Sequence, residues 1–294
     1  LRLSKGMTYK ASAAGLNLGG GKAVIIGDPK KDKTEAMFRA FGTFVNSLHG
    51  RYITAEDVGT KVQDMEYVFM ETPYVTGIPT TFGGSGDPSP YTAHGVLMGI
   101  KASVKEKLGQ DNLKGVRVAV QGLGNVGYHL VGFLNKEGAI VTAADIDQTK
   151  VKAVVDEFGV KAMDAQSIVT SECDVFAPCA LGAVINDSTI GELKCKIVAG
   201  GANNQLAEYK HGEHLMERGI LYAPDYVINA GGLMNVFVEL EGYSSERAFD
   251  KTTQVYDNLL NVYKIAKTEK IATHKAADRL AEERIRKIGG LRTH

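Results

Sequence analysis

Lys22 follows three consecutive glycines, Gly19-Gly20-Gly21, and precedes an apolar run at 23–26. Glycines let backbone approach backbone or ligand closely. A lysine in such a place is expected to lose much of its hydration, which pushes its pKa toward neutrality and makes it a general base. Lys10 lies twelve residues earlier, in Gly6-Met7-Thr8-Tyr9-Lys10. If both ammonium groups face one cleft, each depresses the other, and one can hold a carboxylate while the other moves protons. A third element is Ile53-Thr54-Ala55-Glu56-Asp57-Val58-Gly59, which places an acid between a strand-like run and a glycine. Asp57 is a candidate to exchange protons with an amino group. Glu56 is the alternative, and the motif does not separate them.

A second set of residues points to a nucleotide. Gly122-Leu123-Gly124-Asn125-Val126-Gly127 follows an expected strand at 116–121 and opens an expected helix. Gly122 permits the tight turn, Gly124 lets a pyrophosphate approach the backbone, and Gly127 lets helix and strand pack closely. The positive end of the helix then faces the phosphates. Asp145 ends the next expected strand, close to the spacing at which a carboxylate holds ribose hydroxyls. Asp145 and Asp147 would repel a 2′-phosphate, which favours NAD over NADP.

These residues need elements to position them. Short apolar runs at 116–121, 140–144, 174–177, 197–199 and 220–223 alternate with helical patterns, which predicts a parallel sheet covered by helices on both faces. Helices are also expected around 34–48, 60–70, 90–108 and 245–287. Gly83-Gly84-Ser85-Gly86-Asp87-Pro88-Ser89-Pro90 is rich in breakers and reads as a linker or hinge. The expected fold is α/β: a Rossmann-type doubly wound NAD domain plus a second α/β substrate domain, with a cleft between them. The expected division is 1–86 for the substrate part, 87–270 for the NAD part and 271–294 for a C-terminal helix returning to the substrate part. Residues 1–6 read as the tail of a helix, with further sequence expected upstream.

Bulk properties exclude several classes. Lys plus Arg and Asp plus Glu are both 34, so a net charge of zero gives no reason to propose nucleic acid or an anionic membrane as partner. No apolar run reaches the roughly 18 residues of a membrane span. Cys173, Cys179 and Cys195 are too few and too widely spaced for a disulfide framework or a structural zinc site, and read as reduced thiols of a cytoplasmic protein. The seven histidines show no metal-ligand spacing, so no metal is expected.

The chain resembles the Glu/Leu/Phe/Val dehydrogenases and looks closest to the leucine-acting members. The resemblance covers nearly the whole sequence. It rests on Lys5-Gly6-Met7-Thr8-Tyr9-Lys10, Leu18-Gly19-Gly20-Gly21-Lys22, Thr54-Ala55-Glu56-Asp57-Val58-Gly59, the glycine motif at 122–127, Gly201-Ala202-Asn203-Asn204-Gln205-Leu206 and Pro224-Asp225-Tyr226-Val227-Ile228-Asn229-Ala230-Gly231-Gly232. It implies that Lys10 binds a substrate carboxylate, that Lys22 activates water for attack on an imino carbon, and that Asp57 handles protons at nitrogen. It further implies that Asn203 lies near nicotinamide and substrate, that Asn229 helps hold ligand, and that Thr92 contacts the nicotinamide carboxamide. The side-chain pocket would be lined by Ala55, Leu233 and Val236. Valine at 236 cannot hydrogen-bond a distal carboxylate, and burying one against it would be costly. The implied reaction is NAD-dependent oxidative deamination of a branched-chain L-amino acid to its 2-oxo acid, in a homo-oligomer. An aromatic amino acid in a wider pocket and a catalytically incomplete NAD-binding fragment are the alternatives.

Overall fold

The computed structural model describes residues 1–289 and 291; the remainder of the expected 271–294 segment lies outside the described residues. Helix α1 (Arg2–Ala13) is the first described element, and Lys10 sits in its last turn. Helices α2 (Glu35–Asn46) and α3 (Val62–Phe69) follow. The Thr34 side chain caps α2 by accepting from the Met37 amide at 3.2 Å, which satisfies one of the free amides of its first turn. Between α1 and α4 (Ser89–Leu108) the chain makes one isolated parallel bridge, Thr54 with Val75.

From Arg117 onward strand and helix alternate. The strands are β1 (Arg117–Gln121), β2 (Ile140–Ala144), β3 (Lys161–Ala162), β4 (Val175–Pro178), β5 (Ile197–Val198) and β6 (Leu221–Tyr222). Between them run α5 (Asn125–Lys136), α6 (Gln148–Phe158) and α7 (His211–Glu217). Helices α8 (Asp225–Ile228), α9 (Gly231–Glu239), α10 (Ser245–Glu269) and α11 (Thr273–Gly289) complete the described chain. The sheet order is β3-β2-β1-β4-β5-β6, every pairing parallel. That order is the doubly wound one, whose direction reverses between β1 and β4, and ligands bind at the carboxyl ends of the strands there.

Side chains on a strand alternate between faces, and here each face has its own core. Val118, Val120, Val175 and Ala177 join one cluster with residues of α4, α5 and α10; Ala119, Phe176 and Val198 join the other with Leu215 of α7. Ala11, Ala13, Ala14 and Leu16 of the N-terminal segment belong to the first cluster, so the end of α1 is anchored to the main core. Phe38, Met65, Val68, Val75 and Ile78 form a separate core between α2 and α3.

Three readings of the sequence are revised. The apolar run after Lys22 does not cover it: Val24, Ile25 and Ile26 are exposed, Ile26 at 99%. The two-residue edge strand β3 was unforeseen. The helical stretch at 245–287 is two helices, because Lys270 takes a left-handed conformation (φ 56°) that ends α10.

Candidate active site

Two groups of side chains face each other across the site. In the first, Lys22 and Asp57 form an ion pair. Asp57 is held by a tight turn. Its amide donates to Thr60 Oγ1 at 2.9 Å, its carbonyl accepts from the Thr60 amide at 2.9 Å, and its Oδ1 accepts from the Val58 amide at 2.8 Å. Gly59, at φ +84°, gives the turn a left-handed residue. Lys22 loses water to a different neighbour from the expected one. Gly21 lies directly on the Tyr52 ring, and a Cβ on Gly20 would collide with the Ser4 carbonyl of α1. The glycines thus press the Lys22 segment between a helix and an aromatic ring, and burial lowers the Lys22 pKa. A cavity of about 430 Å³ opens beside this pair, lined by Lys22, Tyr52, Ala55, Asp57, Val58 and the apolar residues of 23–26.

The second group is Lys10, Asn203 and Asn229. Lys10 Nζ donates to Asn203 Oδ1 at 3.5 Å, and Asn229 Nδ2 donates to the same oxygen at 2.7 Å. Asn229 Oδ1 is buried without a protein partner. Burial pushes Lys10 down to about 8; Asp225 opposes the shift and the Lys22 charge adds to it. Lys10 thus feels the Lys22 charge, whereas the lowering at Lys22 comes from burial.

Asp225 and Gln205 are additions to the expected set. Asp225 accepts from the Gln205 amide at 3.2 Å and the Tyr226 amide at 2.7 Å, and burial raises its pKa. Buried Gln205 donates to the carbonyls of Gly200 and Ala202 at 2.7 and 3.0 Å. Together they fix the loop that carries Asn203. Both stand inside quoted motifs, but only the fold reveals that they brace the loop.

The structure separates the two acids of the 53–59 segment. Glu56 packs near Gly77 and has a buried Oε2 without a partner. Its pKa is raised by burial, then by Asp87 and Asp64, with Lys33 opposing.

The glycine turn lies at the β1–β4 reversal. Gly122 (φ +95°) abuts Ala180 after β4, and a Cβ on Gly127 would strike the Gly122 carbonyl. Gly124 caps α5 without a side chain and has nothing within 4 Å of its Cβ position. This leaves Gly124 and Asn125 exposed at the start of the helix with room beside Gly124, the kind of place where helix N-termini take a phosphate. Val126 packs against Gly201, which brings the Asn203 loop onto the turn. Asp145 Oδ2 accepts from the Leu123 amide at 2.6 Å and Oδ1 from the Asp147 amide at 2.8 Å. Each oxygen retains a further lone pair for a hydroxyl donor. Asp147 caps α6. Thr92 sits on α4 against Gly232, at the start of α9.

Leu233 and Val236 are half-buried on α9, and Leu233 packs on the main core. Neither lines the cavity that Ala55 lines.

The reading that the histidines lack ligand spacing is corrected. Asp187, His211 and His214 each place a ligand atom within 4.8 Å of the others. His211 Nδ1, however, accepts from the Glu208 amide at 3.0 Å, which leaves the ring proton on Nε2, facing Asp187 Oδ1 at 3.0 Å. Those atoms are already joined in a hydrogen bond. Cys179 Sγ accepts from the Gly201 amide at 3.4 Å and burial pushes its thiol up to about 11, so it is a packing group and not a thiolate.

A doubly wound sheet with a bare glycine cradle at its reversal, and Lys10 bonded to the Asn203 loop that packs on that turn, is the arrangement of a nucleotide-binding enzyme. The sequence matches the Glu/Leu/Phe/Val dehydrogenase dimerisation domain over residues 1–74 and the Glutamate/Leucine/Phenylalanine/Valine dehydrogenase domain over 83–160 and 144–289. The chain belongs to the Glu/Leu/Phe/Val dehydrogenase family. It is similar to a leucine dehydrogenase of Geobacillus stearothermophilus, 61% identical over 285 residues that make up 97% of this chain and 78% of that protein. A phenylalanine dehydrogenase of Thermoactinomyces intermedius is 47% identical over 99% of this chain and 80% of its own length. Among solved structures, the L-tryptophan dehydrogenase of Nostoc punctiforme matches with a TM-score of 0.85 at 45% identity, covering 97% of this chain and 82% of that one. No helix among the described residues is long and apolar enough to cross a membrane.

Proposed function

We propose that the chain catalyses the NAD-dependent oxidative deamination of a branched-chain L-amino acid, leucine first. Amino acid, NAD and water yield the 2-oxo acid, ammonium, NADH and a proton. The observation that carries this reading is the convergence of Lys10, Asn203 and Asn229 with the Lys22–Asp57 pair.

Gly122, Gly124, Asn125, Val126 and Gly127 would hold the NAD pyrophosphate, Asp145 the adenine ribose, and Thr92 and Asn203 the nicotinamide end. Ile146 and Leu181, both 91% exposed near the cradle, offer an apolar bed for the adenine. NAD supplies the hydride acceptor when bound. Charged Lys10 holds the substrate carboxylate, and Asn229 steadies it. The Asp57 carboxylate takes a proton from the substrate ammonium, and loss of the α-hydrogen as hydride leaves an iminium carbon. With Asp57 so neutralised, Lys22, whose burial favours the uncharged amine, gives its ammonium proton to solvent and takes one from the water that adds to the imino carbon. Asp57 passes a proton to the nitrogen, and ammonia departs as the carbonyl forms. Ala55, Leu233 and Val236 face the aliphatic side chain once the parts 1–86 and 87–270 close, with 271–289 returning to the former. One methylene in an apolar pocket discriminates by only about 1–3 kcal/mol, so valine and isoleucine are also substrates. The protein acts as a homo-oligomer, and its three unpaired cysteines suit a reducing cytoplasm.

The test is NADH absorbance from purified protein, NAD and L-leucine, beside Lys22→Ala. Turnover in wild type alone, with NAD still bound by the variant, is expected. Equal turnover by Lys22→Ala would remove Lys22 from the mechanism. Phenylalanine turned over faster than leucine would move the substrate to the aromatic class.

A further inference from the structure

We infer that Glu239 is a positioning residue for the proposed reaction, tying the Lys22–Asp57 pair to the Asn203–Asn229–Lys10 group at a fixed separation in the ligand-free protein, before the two parts close. The inference rests on the amino-acid dehydrogenase reading above. Glu239 is the last residue of α9. Its Oε2 accepts from two backbone amides at once, Gly77 and Ser85, each at 2.8 Å. Those amides lie at the two ends of the 77–85 loop, which leads from the N-terminal segment into the breaker-rich run before α4. Among the described residues no other side chain bonds to both ends of this loop.

The two ends of this tether lead to the two halves of the site. On one side, Gly77 follows the stretch that holds the 53–59 segment: Thr54 pairs with Val75, and the Thr76 amide donates to the Thr54 carbonyl at 2.9 Å. Asp57 lies three residues beyond Thr54. On the other side, α9 begins just after Asn229 and runs nine residues, about 14 Å at the helical rise. Its glycines Gly231 and Gly232 pack directly on Tyr91 and Thr92 of α4, so the helix is a rigid strut. A carboxylate at its far end sets how close the two halves stand.

The residue type is informative. A glutamate in the last turn of a helix opposes the negative end of the helix dipole, so its placement there needs a compensating partner. Two amides pointing at one oxygen supply it. The remaining polar atoms of the clamp, Glu239 Oε1 and Ser85 Oγ, are buried without a protein partner. Burying them is unfavourable in itself, so the carboxylate is committed to these two amides and not to a wider network. The loop is also shaped for the clamp. A Cβ on Gly84 would collide with the Ile78 carbonyl, and Gly77 is left-handed at φ +75°.

The experiment compares wild type, Glu239→Ala and Glu239→Gln by two independent readouts. Spin labels at Lys31→Cys and Lys152→Cys, exposed positions on the two sides, report the separation directly. A single narrow distance is expected in wild type and in Glu239→Gln, whose amide oxygen still accepts both N–H groups. A broadened distribution is expected in Glu239→Ala. In parallel, Glu239→Ala should lower kcat for leucine at least tenfold with NADH affinity within twofold of wild type, and Glu239→Gln should recover most of kcat. A merely structural role would lower Tm and leave kcat intact. Native kcat with an unchanged distance in Glu239→Ala overturns the tether. If wild type turns over no amino acid but the distance responds as stated, the tether stands and the functional reading falls.

Discussion

At the scale of single residues, Lys10 is the most testable group. Burial holds its pKa near about 8 in the free protein. A bound carboxylate favours the charged ammonium and pulls that value back up. Above pH 8, free Lys10 is largely neutral, so binding a carboxylate there must draw a proton from solution. At about pH 6.5 the ammonium is already charged and no uptake occurs. Calorimetry with 4-methylpentanoate, in buffers of different ionisation enthalpy, should show proton uptake at about pH 9 that is absent in Lys10→Arg, since arginine stays charged throughout. A binding heat independent of buffer at that pH would remove Lys10 from the carboxylate site. The lysines were legible because glycine runs and like charges are local signals. What dehydrates Lys22 was not: Tyr52 and α1 press on it from elsewhere in the chain, while the adjacent apolar run faces solvent. The different surroundings of Glu56 and Asp57 also waited for the fold, because Lys22, Gly77 and Asp64 come to them from elsewhere in the chain.

The glycine turn shows how elements divide one motif into separable duties. Gly127 has no room: a Cβ there meets the Gly122 carbonyl, so alanine must push α5 away from β1. Overpacking of that kind costs about 1–3 kcal/mol, and it also moves the cradle. Gly124 has open space and an extended backbone (φ −67°, ψ −172°), so alanine is tolerated there by the protein but occupies the place proposed for the phosphate. Gly127→Ala should therefore lose both Tm and NADH affinity. Gly124→Ala should keep its Tm and lose at least tenfold in NADH affinity, read by nucleotide fluorescence. Full NADH affinity in Gly124→Ala would show that the cradle is not where the pyrophosphate lies. The longer strands were readable because apolar runs of five residues between helix-length segments leave few alternatives. The two-residue β3, exposed at the sheet edge, carries no hydrophobic pattern to read. The end of α10 carries no glycine: Lys270 itself adopts the left-handed conformation that glycine usually marks.

Across the whole molecule, the joints between elements include two imidazoles that are packed neutral. His274 of α11 is 5% exposed, lies edge-on to the Tyr209 ring at 4.2 Å, sits against Gly212 of α7, and has neither ring nitrogen partnered. His94 of α4 shares a 2.6 Å hydrogen bond with Thr252 of α10. Burial lowers the pKa of both. The folded pKa thus lies below the unfolded value of 6.5, and the unfolded chain takes up protons first as pH falls. Their contribution to stability is complete above about pH 6.5 and declines below it, until the folded-state histidines also protonate. Asp174 acts in a lower window. Arg117 holds it near about 2, so its contribution is present above 3.8 and is lost only as pH falls toward 2. Thermal unfolding between about pH 7 and pH 5 therefore isolates the histidines from that carboxylate. Tm should fall across this range in wild type and fall less in His274→Phe, which keeps the ring against Tyr209 and removes the titrating group. An equal fall in both would mean that the α7–α11 joint opens to water before the imidazole is protonated, and that acid sensitivity arises elsewhere.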